Sequence, residues 1–77
     1  MQELDGVVLA CDLTEHDLRR EDIGTIVPRY GDGAAYEVEF VTAAGATVAV
    51  VTLEATDVRS VGGHEILHVR PLDRTAA

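Results

Sequence analysis

The groups able to do chemistry in this 77-residue chain are three histidines, one cysteine and fourteen carboxylates. His64 and His68 stand four apart, a spacing that places two metal ligands on one helix face. The intervening Ile66 and Leu67 and the following Val69 favour a strand, in which positions four apart share a face but lie roughly 13 Å from each other. His64-Glu65-Ile66-Leu67-His68 spells the letters of HExxH, but that motif binds zinc only on a helix, which these residues disfavour; His16 stands alone, and Cys11 has no CxxC companion. Cys11 ends an apolar run and reads as a small core hydrophobe, with no base to activate it. Ser60 is the only serine, so no hydrolase triad has a placed nucleophile. Gly31, Gly33, Gly45, Gly62 and Gly63 fall at turns, and without a lysine they make no phosphate loop. The chain is therefore expected to have no catalytic residue, no metal site and no cofactor, and to be no enzyme.

The remaining chemistry is charge. Fourteen acidic residues against six arginines, with no lysine, give a formal charge of −8. Nucleic-acid binders need cations to displace the counterions of phosphate. Direct binding to DNA or RNA is excluded on that ground, and anionic membrane surfaces are disfavoured by the same repulsion. A basic protein is the partner that fits. The candidate contact residues are Asp17, Glu21 and Asp22 in a polar loop, Glu37 and Glu39 on one strand face, and the apolar Ile66, Leu67 and Val69 near the end. The bland alternative for the loop acids is a solvated surface beside Arg19 and Arg20.

These residues need elements to position them. Val7–Cys11 is a short β-branched run that reads as a strand buried on both faces. Leu13–Ile23 is polar and irregular; Thr14 is placed to cap one helical turn, and Leu13 and Leu18 to tuck inward. Gly24 marks a close approach or a special backbone conformation. Thr25–Tyr30 is a strand that Pro28 assigns to a sheet edge or a bulge. Gly31-Asp32-Gly33 is a hairpin connector.

Tyr36–Val41 alternates with period 2, which sends Tyr36, Val38 and Phe40 to the core and Glu37 and Glu39 to water. After a turn at Ala43-Ala44-Gly45 comes Thr47–Leu53, apolar on both faces. Either Val48 and Val50 or Ala49, Val51 and Leu53 point inward, and the other set needs a cover. Glu54–Val58 suits one helical turn before the strand Val58–Val61, and residues 65–70 suit an extra strand. Ile66-Leu67-His68-Val69 then either covers the outer face of Thr47–Leu53 or exchanges with a second chain. Residues 73–77 form a tail.

The N-terminus carries no signal-peptide pattern, and Val48–Val51 is far too short an apolar run to span a bilayer. A cytoplasmic location is the expectation, and 1–77 is expected to form a single domain.

Leu18…Glu21-Asp-Ile-Gly-Thr-Ile-Val, Tyr36-Glu-Val-Glu-Phe and Val51-Thr-Leu-Glu resemble the pattern L-x-x-G-D-x-G-T-V-V … Y-x-V-E-F … G … L of small bacterial SH3-like domains. The chain is similar to the domain-of-unknown-function family forty-nine twenty-six over nearly its whole length, including the ending Gly62–Arg70. It is more distantly similar to NifZ-type nitrogen-fixation accessory proteins. Glu21 stands where the pattern often has glycine. The resemblance implies an all-β fold: a small SH3-like barrel of about five antiparallel strands. It further implies a non-enzymatic accessory or antitoxin-like protein acting beside a small neighbour. Two alternatives stay open: a structural homo-oligomer such as a homodimer, and a partner-dependent regulator of nucleic-acid transactions.

Overall fold

The computed structural model describes residues 1–28 and 35–72. It contains β1 (Gly6–Leu9), a single 3-10 turn (Thr14–His16), β2 (Ile23–Val27), β3 (Ala35–Val41), β4 (Thr47–Glu54) and β5 (Val58–Ser60). The strands form one antiparallel sheet in the order β4-β3-β2-β1-β5. The protein is all-β, as expected. The expected Gly31–Gly33 hairpin turn and the 73–77 tail lie outside the described residues.

The alternation of β3 sets the two faces. Tyr36, Val38 and Phe40 stand opposite Leu53, Val51 and Ala49 of β4, and Val38 opposite Ile26 of β2. Val38 and Phe40 are buried with Ile26, Leu53, Val7, Leu9 and Val58, and Leu18 reaches in from the loop. The set of β4 facing the core is therefore Ala49, Val51 and Leu53. Register passes from Phe40↔Ala49 to Val41↔Thr47, which makes Val48 the extra residue of a bulge. Local kinking there turns Val48 toward the core as well. That is why the strand reads as apolar on both sides, while Val50 stays half exposed.

The sheet is rolled. β4 and β5 lie at opposite edges, yet only residues 55–57 join them. Five strands laid flat would separate these edges by about 19 Å, whereas a hydrogen-bonded turn brings its ends within about 7 Å. Asp57 N–H donates to the Glu54 carbonyl at 2.9 Å, and the Asp57 carboxylate accepts from Glu54 N–H at 2.9 Å. Leu53 and Val58 consequently share one core.

Several expectations are corrected. β2 is an interior strand between β1 and β3, because it ends at Val27 and Pro28 falls one residue beyond. Thr14 does not cap its turn: Leu13 holds the N-cap position without a side-chain bond, and Asp17 ends the turn in the left-handed region at φ 58°. Cys11 lies past the end of β1 and is half-buried, not a core residue. Residues 55–57 form a hydrogen-bonded turn where a helical turn was expected, and residues 65–70 form no strand. Leu13 and Leu18 do tuck inward, paired to each other through their backbones.

Gly24 is buried at a close approach. A Cβ there would stand 2.6 Å from Val38 Cγ1 and 2.8 Å from Phe40 Cε1, whereas one on Gly63 would meet nothing within 4 Å. Gly24→Ala is expected to cost about 1–3 kcal/mol by overpacking the core. Gly63→Ala should stay within about 0.5 kcal/mol of the parent, both read from urea unfolding midpoints.

Candidate functional site

The chain leaves β5 through Val61 and continues over residues 62–72 without regular secondary structure. This strap is nevertheless held at two points, each an arginine on a carboxylate. Arg59 donates through Nη1 and Nη2 to the two oxygens of Glu65, both at 2.7 Å. Gly62 N–H adds a third bond to Glu65 Oε1 at 2.5 Å. Farther along, Arg70 donates from Nε to Asp22 Oδ1 at 2.9 Å and from Nη2 to Asp22 Oδ2 at 2.5 Å. Its Nη2 also reaches the Asp17 carbonyl at 2.9 Å. Such forked, charge-assisted pairs fix geometry as well as charge.

The first clamp also seals the sheet. Arg59 stands opposite Val8 in β1, whose other neighbour is Ile23 in β2. Arg59 Nη2 lies 3.6 Å from Glu21 Oε2, just upstream of β2. Its side chain therefore crosses β1 over Val8, laying its aliphatic stem on apolar surface and keeping its head wet. That accounts for Val8 being only 4% exposed although it points away from the core cluster.

Electrostatics follow from these contacts. The hydrogen bonds from Arg59 and then from Gly62 N–H hold the Glu65 carboxyl down at about 2. At Asp22, burial acts to raise the carboxyl; the bonds from Arg70 and Arg19 N–H, with both arginine charges, outweigh it and leave it lowered. Both guanidiniums are held above their ordinary value, chiefly by those same hydrogen bonds.

Between the clamps the strap presents Ile66, Leu67 and Val69 at 92, 70 and 88% exposure, with His64 and His68 exposed beside them. The expectation that these residues cover the outer face of β4 within the same chain is overturned. Glu65 and Arg70 tie the segment beside β5, β1 and the entry to β2, where their partners are. The structure thus brings Asp17, Glu21 and Asp22 together with the segment of Ile66, Leu67 and Val69. It keeps Glu37 and Glu39 apart, on the outer face of β3. There Glu37 accepts from the Thr52 hydroxyl, and Glu39 from the Thr47 hydroxyl at 2.8 Å. Sequence reasoning missed Arg59, Glu65 and Arg70 as a set, because Arg70 and Asp22 are 48 positions apart and no local spacing links them. Among the described residues, no three His, Cys, Asp or Glu side chains gather as a metal site. No helix among them is long and apolar enough to cross a membrane.

Glu21 carries backbone strain. Its φ is +81°, a conformation that costs a residue with a Cβ roughly 1–2 kcal/mol. The glycine-favoured geometry of the pattern is retained here by a glutamate whose carboxylate reaches Arg59. Glu21→Gly is expected to raise stability by about 1 kcal/mol, since the exposed ion pair it removes is worth less than the strain. Glu21→Ala should bring no such gain in thermal unfolding.

A lowered carboxyl stabilises the clamp above its unattached value and loses that contribution as pH falls through the clamped value. The Glu65 clamp should thus be complete at neutral pH and be lost as pH falls from about 4.5 to about 2. Carboxyl carbon shifts in an NMR titration should place the Glu65 midpoint near 2 in the parent. In Arg59→Gln it should return toward 4.5.

Comparison with known families matches residues 3–60 to the model described as "Domain of unknown function (DUF4926)". The match runs through the end of β5 and stops short of the strap, so the Gly62–Arg70 ending lies beyond the matched part. No curated protein and no solved structure gave a significant match.

Proposed function

The chain belongs to the DUF4926 family of domains of unknown function, and from that premise we propose that it is a non-enzymatic module that binds another protein. The observation that carries this reading is the clamped strap. Three large apolar residues, Ile66, Leu67 and Val69, stand almost fully in water on a segment held by two arginine–carboxylate pairs. Exposed apolar clusters rimmed by polar groups mark interaction sites. Holding such a cluster in place beforehand lowers the ordering cost of association.

The net charge of −8 selects the partner. A small basic protein is steered toward this surface, whereas nucleic acid and anionic membrane are repelled. In that pairing the chain is the acidic, antitoxin-like member, working in the cytoplasm beside a neighbouring gene's product. The strand order β4-β3-β2-β1-β5, with one tight turn from β4 to β5, supports the finer reading of the fold as an SH3-like barrel.

The test is co-expression with the products of genes adjacent to its own. One of them should co-purify in equimolar amount. The variant Ile66→Ser/Leu67→Ser/Val69→Ser should keep its thermal midpoint, because those side chains bury little, and lose affinity by at least about tenfold, as truncation of an interface anchor does. Unchanged affinity of that variant, or a light-scattering mass of two copies for the isolated chain, would contradict the reading.

A further inference from the structure

β4 is an eight-residue edge strand, and its far side faces no other strand among the described residues. Among them, none of the backbone groups of Thr47–Leu53 makes a backbone hydrogen bond outside the β3 ladder. Natural edges are blunted with proline, lysine, bulges or a covering segment. β4 has no proline and no lysine, its one charge is Glu54 at the end, and its single device is the bulge at Val48. The opposite edge is treated differently. β5 is three residues long, Arg59 turns back onto the Ser60 carbonyl at 3.3 Å, and the strap is tied beside it.

The side chains around β4 say what would suit the open edge. Val50 and Val41 are 51 and 53% exposed on the outer face. Beside them stand Glu37 and Glu39, one strand inward, bonded to the hydroxyls of Thr52 and Thr47. From residue 35 to residue 58 the sequence holds Glu37, Glu39, Glu54 and Asp57 and no arginine or lysine. A second copy of this chain, paired β4 to β4, would bring like carboxylates together between two molecules each carrying −8. A strand with aliphatic residues alternating with arginine or lysine would instead put its cations on the outer face, their stems over Val50 and their heads reaching across β4 to Glu37 and Glu39, and turn its aliphatic side chains to the face of Ala49, Val51 and Leu53. The chain makes a reach of this kind internally, where Arg59 crosses β1 to Glu21.

We infer that β4 takes an extended, basic segment of a partner protein as a sixth strand, with main-chain bonds supplying affinity and Glu37 and Glu39 supplying selectivity. The inference rests on the protein-binding reading and adds a second contact to it. The turn at residues 55–57 sets the end of β4 next to the start of β5, so one partner can lie against both the strap and β4.

The test uses the full chain, labelled with nitrogen-15, and two synthetic probes: acetyl-Val-Arg-Val-Arg-Val-Arg-Val-amide and the same peptide with glutamate for arginine. The arginine peptide should bind at least about tenfold tighter than the glutamate peptide, as charge complementarity requires. It should slow amide exchange within Thr47–Leu53. Glu37→Gln/Glu39→Gln should shrink the difference between peptides at least about fivefold. Should that variant unfold, raising salt from about 50 to about 500 mM on the parent should shrink it instead, since exposed charges are screened. Equal affinity for the two peptides, or protection confined to residues 64–70, overturns the inference. So does β4 protection that grows with protein concentration and without peptide, because the occupant is then a second copy. If β4 stays inert while the Ile66, Leu67 and Val69 variant still loses its partner, this inference falls and the protein-binding reading stands.

Discussion

Three residues join the two edges of this sheet, and the molecule is shaped by that shortage of chain. A link of Ala55, Thr56 and Asp57 cannot span a flat five-stranded sheet, so the sheet must roll until β4 and β5 meet at one end. Rolling creates the core: Leu53 and Val58, from opposite edges, pack into the same cluster as Val38 and Phe40. Asp57 fixes the join from both sides. Its carboxylate accepts from Glu54 N–H, and its carbonyl accepts from Ala10 N–H at 2.8 Å, tying the turn to the end of β1. No buried side-chain nitrogen or oxygen among the described residues lacks a partner, so rolling strands none of these side-chain groups.

The outer surface divides into two territories. Around β1 and β5, arginine is abundant: Arg19, Arg20, Arg59 and Arg70 meet Glu21, Asp22 and Glu65, and the charges neutralise one another while pinning the strap. From residue 35 to residue 58 the sequence has no cation, and on the outer face Glu37 and Glu39 accept from threonine hydroxyls. The net charge of −8 is therefore unevenly spread. On the proposed reading, a cationic partner would be drawn toward β3 and β4 and meet its apolar contact on the strap. Strain at Glu21 and its link to Arg59 belong to the first territory, where a left-handed backbone is kept in place by its surroundings.

Local rules made part of this legible. Period-2 alternation from Tyr36 to Phe40 was enough to set faces and core, because each strand residue points opposite to the last. The apolar run at Val7 gave a strand buried on both sides, and the structure adds that its second cover is an arginine stem. Pro28 misled: a proline bars the ladder only at its own position, and β2 stops one residue earlier. Val48 and Val50 looked equivalent because a bulge, invisible in the sequence, changes the phase between them. Least legible was the strap. Ile66-Leu67-His68-Val69 has strand composition, yet two ion pairs decide its path, one of them between Arg70 and Asp22, 48 positions apart.

This strap is a held element and not a trailing end. Backbone amide order parameters from nitrogen-15 relaxation measure it directly, on a timescale where rigid strands give about 0.85 and flexible chain falls below about 0.6. Values for residues 64–70 are expected close to those of β3, with both arginine clamps intact at neutral pH. Values below about 0.6 through Ile66, Leu67 and Val69 would contradict it and leave the apolar trio as the side chains of a loose terminus.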